Sequence, residues 1–105
     1  TGHYTIEACS VSQFENHVRA IAGLPLGSTE MLYPSAVMIN LLGSRNGKAN
    51  LEGYSNLIKD ENAFPHFYGK EETRTGRKMG HITLVGNDMA DLLYRAYKYH
   101  FQIKF

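Results

Sequence analysis

Two helix starts stand near the ends of this chain, and between them every apolar run is short and closed by glycine or proline. Ser12-Gln13-Phe14-Glu15 is a capping box, with Ser at the N-cap and Glu three residues on. Phe14, Val18 and Ile21 follow at i, i+4 and i+7, one apolar helix face. Gly23 and Pro25 stop that helix, which is predicted over about 12–22. Near the other end Asp88 caps a second helix with Met89, Leu92, Leu93 and Ala96 on one face, followed by an aromatic tail (Tyr94, Tyr97, Tyr99, Phe101, Phe105).

The runs between them read as strands. Ala36 to Leu42 is apolar and closed by Gly43, so a buried strand is expected. His81 to Val85 is β-branched and bounded by Gly80 and Gly86. Phe64 to Tyr68 contains Pro65, which confines it to an edge or a strand start. Tyr4 to Cys9 alternates well enough for a further strand. Ser44 to Asn50 is a polar loop with an Asn-Gly turn, a short helical turn is expected within Leu51 to Ile58, and Lys70 to Lys78 is a charged connection. The class is α+β: a small antiparallel sheet or partial barrel between two helices.

Length and charge exclude more than they identify. A chain of 105 residues builds one modest core, with on the order of 6,000 Å² exposed. Lys+Arg 11 against Asp+Glu 10 leaves +1, so no global charge recruits nucleic acid or a membrane, and neither is expected as a partner. The longest uncharged apolar run is too short to span a bilayer. The single cysteine, Cys9, excludes an internal disulfide and a multi-cysteine zinc site, and suits a reducing compartment. The opening Thr1-Gly2-His3-Tyr4 reads like the middle of a longer sequence, so a piece of a larger protein is expected.

Chemistry concentrates in Tyr68 to His81. Four cations (Lys70, Arg74, Arg77, Lys78) and two anions (Glu71, Glu72) fall within nine residues, with Gly69 and Gly76 beside and among them. Glycine allows close backbone approach, and Arg77 offers a planar fork for phosphate or carboxylate. A small-anion site is one reading; a solvated hairpin carrying surface ion pairs is the other. No Walker loop is present, because the position five residues before Gly69 is Phe64. The five histidines are scattered, though His66 and His81 could meet across a hairpin, to pack or to hold a metal, and Glu7 beside His3 could bind a metal or orient a loop. No catalytic residue and no metal ligand set is readable. The aromatic tail, with Arg95, Lys98 and Lys104, either packs the second helix or offers a stacking surface.

Four blocks of residues carry a resemblance over about 1–86. They are Gly2-His3-Tyr4-Thr5-Ile6-Glu7-Ala8, the run from Ser12-Gln13-Phe14-Glu15 to Gly27, Asn40-Leu41-Leu42-Gly43, and Tyr68-Gly69-Lys70 with Gly76-Arg77-Lys78-Met79-Gly80-His81-Ile82. In this order they resemble the C-terminal part of the PurK family of ATP-grasp enzymes, the 5-(carboxyamino)imidazole ribonucleotide synthases. The resemblance is weak over 44–64 and ends near Met89. It implies a cytoplasmic ligase of purine biosynthesis that uses ATP, Mg²⁺ and bicarbonate to carboxylate aminoimidazole ribonucleotide. It implies a β-rich hybrid-motif (barrel-sandwich-like) fold with a capped N-terminal helix and a C-terminal helix. The divisions it suggests are 1–27 continuing an ATP-grasp lobe, 28–87 the small β domain, and 88–105 a helix and tail. Lys70 and Arg77, with Lys78 adjacent, are implied to hold the ribonucleotide, and His3 to lie at the active-site edge. ATP and Mg²⁺ are implied to sit mainly in other domains, so the chain alone is expected to be inactive. A homodimer is a further implication, and a stand-alone anion-binding or dimerisation module the alternative.

Overall fold

The computed structural model describes residues 2–105. A single 3₁₀ turn, Gly2–Tyr4, runs into α1 (Thr5–Ala8) and α2 (Gln13–Ile21). Then come β1 (Ser35–Leu42), β2 (Gly47–Lys48), α3 (Ser55–Ile58), β3 (Ala63–Phe67), β4 (Glu72–Thr73), β5 (Lys78–Gly86) and α4 (Met89–Gln102). β1, β5 and β3 form an antiparallel sheet in that order, and β2 pairs with β4. The α+β class is as expected. Pro65 falls on the edge strand β3, where its missing N–H costs no ladder bond.

β5 is the central strand and both of its faces are covered. Ile82 and Leu84 join Leu92, Ala96 and Tyr99 of α4 in the main core, with Leu41, Leu57, Ile103 and Phe105. Burying a side chain of this size contributes roughly 1.5–3 kcal/mol. The register slips between Leu41 and Leu42, where Leu42 opposes Lys78, and the bulge turns Met79 into this same core. His81, Thr83 and Val85 point to the other face, towards the N-terminal segment, and are buried.

Two sequence expectations need correcting. Residues 4–8, expected as most of a strand over 4–9, are helical. Thr5 and Ala8 are buried at i, i+3 while Ile6 is exposed, a helical spacing. The Thr5 hydroxyl donates to the Gly2 carbonyl at 2.5 Å, and Cys9 N–H donates to Thr5 O; only an isolated bridge from Cys9 to Met31 is β-like. Packing against β5 outweighs the alternation. The aromatic tail is not separate from the second helix either, because α4 continues to Gln102. Tyr99 and Phe105 are buried, whereas Tyr94, Tyr97 and Phe101 stay on the outer face.

Elsewhere the details shift. Ser12 Oγ caps α2 by accepting from Glu15 N–H, but the Glu15 carboxylate turns to Arg19 instead of closing the box. The apolar stripe of α2 faces outward, Phe14, Val18 and Ile21 being 45%, 62% and 75% exposed. β1 is half-covered, not buried. The total surface, 6769 Å², exceeds the expected ~6,000 Å². No described helix is long and apolar enough to cross a membrane.

Candidate functional site

β3 and β5 form a hairpin in which His66 opposes His81. Gly80 makes that approach possible. A Cβ there would lie 2.4 Å from the His66 carbonyl oxygen, so any side chain would push the strands apart. The ladder runs one residue beyond β3, with Tyr68 N–H donating to Met79 O at 3.1 Å. Tyr68 therefore keeps the strand parity of His66 and shares its face with His81.

Three histidines gather on this face. His81 is 1% exposed; its ring stacks on His66 at 4.5 Å between centroids and meets the edge of His3 at 4.8 Å. His66 Nε2 is hydrogen-bonded to Glu7 Oε1, and the Tyr68 hydroxyl to His81 Nδ1 at 2.9 Å. Burial foremost, then the neighbouring His66 and His3, pushes His81 down to about 4, so it is neutral at physiological pH. Its Nε2 and the Glu7 Oε2 are buried without a partner among the described residues. Here β-pairing and the N-terminal turn unite residues that looked scattered. His17 and His100 remain apart and exposed.

The cationic loop leaves this cluster directly. Gly69, at φ +71, turns the chain after Tyr68 in a conformation that favours glycine. Lys70 then folds back. Its Nζ donates to the Lys78 carbonyl at 2.6 Å and sits 5.7 Å from the Tyr68 ring centroid. Arg77 Nη1 donates to the Glu72 carbonyl at 2.8 Å, and the Lys78 side chain is exposed. Among the described residues no carboxylate lies within ion-pair distance of Lys70, Arg74, Arg77 or Lys78. The surface ion pairs that Glu71 and Glu72 could have made are not formed.

Main-chain bonds hold the loop against residues 43–49. Gly43 N–H donates to Arg77 O, Gly76 N–H to Gly43 O, and Ala49 N–H to Glu71 O, at 2.8–2.9 Å. The Asn46 side chain accepts from Thr75 N–H at 3.2 Å. The 44–50 loop is thus the floor of the cationic loop, built around the two-stranded β2–β4 pair. Lys70 and His3 both lie near Tyr68, whose ring centroid is 5.7 Å from the Lys70 Nζ and 6.5 Å from the His3 ring. Arg77 is anchored at the β4 end instead.

Sequence reasoning assigned no role to Tyr68 and set Glu7 beside His3, whereas its hydrogen-bond partner is His66. Strand parity with His66 could have pointed to Tyr68; nothing in the sequence pointed to the Glu7–His66 bond, which spans 59 residues. The described residues do not offer a metal site, since no three His, Cys, Asp or Glu side chains are placed to hold an ion. The histidine rings meet by faces and edges.

Comparison with known proteins agrees in sequence and in fold. The family model described as phosphoribosylaminoimidazole carboxylase C-terminal domain matches residues 36–95, running through 44–64 and into α4. N5-carboxyaminoimidazole ribonucleotide synthase of Synechococcus elongatus is 49% identical over 88 residues, 80% of this chain and 22% of the relative. The crystal structure of N5-carboxyaminoimidazole ribonucleotide synthetase from Thermotoga maritima is 53% identical, with a TM-score of 0.90 over 98% of this chain and 29% of that one. The N5-carboxyaminoimidazole synthase of Aspergillus clavatus, solved in complex with ADP and 5-aminoimidazole ribonucleotide, is 37% identical. Its TM-score is 0.71 over 89% of this chain and 25% of that one. The chain spans less than a third of the length of each.

Proposed function

The chain belongs to the phosphoribosylaminoimidazole carboxylase C-terminal domain family, and on that premise we propose that it is the C-terminal part of an ATP-dependent ligase. That ligase carboxylates the exocyclic amine of aminoimidazole ribonucleotide with bicarbonate, in purine biosynthesis and in the cytoplasm. The β-rich region is its barrel-sandwich-like part, and the parent is an ATP-grasp enzyme. The share of this chain is substrate holding. Lys70 and Arg77 grip the phosphate end of the ribonucleotide, Lys78 adds charge beside them, and His3 stands at the edge of the active site.

The observation that carries this reading is the loop of unpaired cations. Among the described residues, four positive side chains on a main-chain-fixed loop have no carboxylate partner within ion-pair distance. Lys70 and Arg77 are only half-exposed and already tied to carbonyls. An arriving phosphate gains charge-assisted hydrogen bonds without first displacing an acid. Such contacts bind and orient the nucleotide so that its amine meets the carboxylating group. ATP supplies the activation in the parent; Mg²⁺ does not fit the residues here, and no step of this chain runs through it.

The test uses the whole ligase. Arg77→Ala should raise the KM for the ribonucleotide by one or more orders of magnitude, since charged hydrogen bonds contribute roughly 1.5–3 kcal/mol. The KM for ATP should stay put. An unchanged ribonucleotide KM overturns the assignment.

A further inference from the structure

A lysine is a poor clamp unless something holds it. Its four-carbon stem samples many rotamers, and each one frozen on binding weakens the complex. Lys70 is nevertheless held at two points before any ligand arrives, at the Lys78 carbonyl and over the Tyr68 ring. The first is main chain on β5. The second depends on where the Tyr68 ring stands, and Tyr68 itself is 40% exposed, at the surface end of the hairpin.

What fixes that ring is its hydroxyl, bonded to Nδ1 of His81. His81 cannot move. It lies on the central strand, closed in by the His66 face and the His3 edge. Because a phenol and a neutral imidazole can each donate or accept, the bond forms in either ring tautomer. The chain of contact runs from buried imidazole to phenol to ammonium.

We infer that Tyr68 is a positioning residue, locked by His81 through its hydroxyl, whose ring presents Lys70 to the phosphate end of the ribonucleotide in one orientation. This rests on the proposal that the loop holds the ribonucleotide. Tyr68 touches no reacting atom in this scheme and acts only through Lys70. Its effect belongs in the KM for the ribonucleotide, not in the KM for ATP.

A double-mutant cycle in the whole ligase tests it, with Lys70→Met, Tyr68→Phe, Tyr68→Ala and the Lys70→Met/Tyr68→Ala pair. Tyr68→Phe, which keeps the ring and drops the hydroxyl, should raise the ribonucleotide KM about threefold. Tyr68→Ala, which removes both, should raise it about tenfold. The pair should be no worse than Lys70→Met alone. A ribonucleotide KM untouched by Lys70→Met would overturn the holding role itself. If Lys70→Met raises KM but Tyr68→Phe and Tyr68→Ala do not, or if the two losses simply add, the holding role stands and the positioning role falls. Tyr68→Phe keeps the test open should Tyr68→Ala fold poorly, and an equal rise in the KM for ATP would mark a general structural loss and count against the inference.

Discussion

The imidazole rings of His66 and His81 lie stacked on neighbouring strands, 4.5 Å apart and 14° from parallel. His66 faces the Glu7 carboxylate. His81 faces His66, His3 and the Tyr68 hydroxyl, and is the ring held neutral.

Acid should therefore destabilise the fold through His81. The unfolded chain takes up its proton near pH 6.5, the folded chain only near 4, so between these values the unfolded state binds more protons and stability rises with pH. The contribution is complete above pH 6.5 and is lost as the pH falls through about 4, an effect of up to about 3 kcal/mol. Urea denaturation over this range would record it. His81→Gln should flatten the profile, and an unaltered slope in that variant would place the acid sensitivity elsewhere.

A second electrostatic tie joins the end of α3 to α4. Asp60 Oδ2 accepts from Arg95 Nη1 and from the Tyr99 hydroxyl, both at 2.6 Å. Burial alone would raise the Asp60 carboxyl. Hydrogen bonds from Tyr99, Arg95 and the Asn62 N–H, with the Arg95 charge, hold it below the usual carboxylate range. Burial and the bond to Asp60 push Tyr99 up to about 12. Asp60→Asn should cost about 2–3 kcal/mol by leaving Arg95 half-buried and underpartnered. Stability should also fall as the pH rises from 10 through about 12, because the folded Tyr99 keeps its proton longer than the unfolded one. Tyr99→Phe removes that alkaline limb; a limb that persists in the variant would contradict the assignment.

Gly53→Ala should be among the most damaging single substitutions. Gly53 stands at φ +78, and a Cβ there would come within 1.7 Å of the Gln102 carbonyl oxygen. The neighbouring bridge between Glu52 and Lys104 seats the C-terminal residues on the core, and it cannot form around that clash. A loss of more than about 2 kcal/mol is expected in thermal or urea melts.

Residues 1–87 should not fold alone. Cutting the chain before α4 takes Leu92, Ala96, Tyr99, Ile103 and Phe105 from the main core. At roughly 1.5–3 kcal/mol for each of the larger side chains, that loss is comparable with the whole stability of a small domain. A cooperative melt of 1–87 followed by near-ultraviolet circular dichroism would show the expectation to be wrong.

The 105-residue chain by itself should form no ADP above background when given ATP, aminoimidazole ribonucleotide and bicarbonate. Turnover here would overturn its reading as the substrate-holding part of a larger ligase.

Punctuation made much of the fold legible. Gly43 closed β1, Gly86 ended β5 and Pro65 put β3 at the edge, although Gly80, expected to open β5, lies inside it; Ser12 and Asp88 marked both longer helix starts. Residues 4–9 misled because Thr-Ile-Glu-Ala alternates like a strand, and only packing on β5 shows that Thr5 and Ala8 are the buried pair. The candidate site was half legible. Its charges were plain in the sequence, whereas the histidine cluster depends on the Gly80 approach and on contacts such as Glu7 with His66, across 59 residues.

The bonds between the cationic loop and residues 43–49 are almost all main-chain bonds; the Asn46 side chain adds one more. A tie of that kind is blind to most side chains. Apart from Asn46, whose side chain takes part, and Gly47, which stands at φ +126, residues 44–49 can change in identity while Lys70 and Arg77 keep their places, but one inserted or deleted residue would carry the floor out of register with the loop above it. For holding the loop, the length of that segment therefore matters more than most of its side chains.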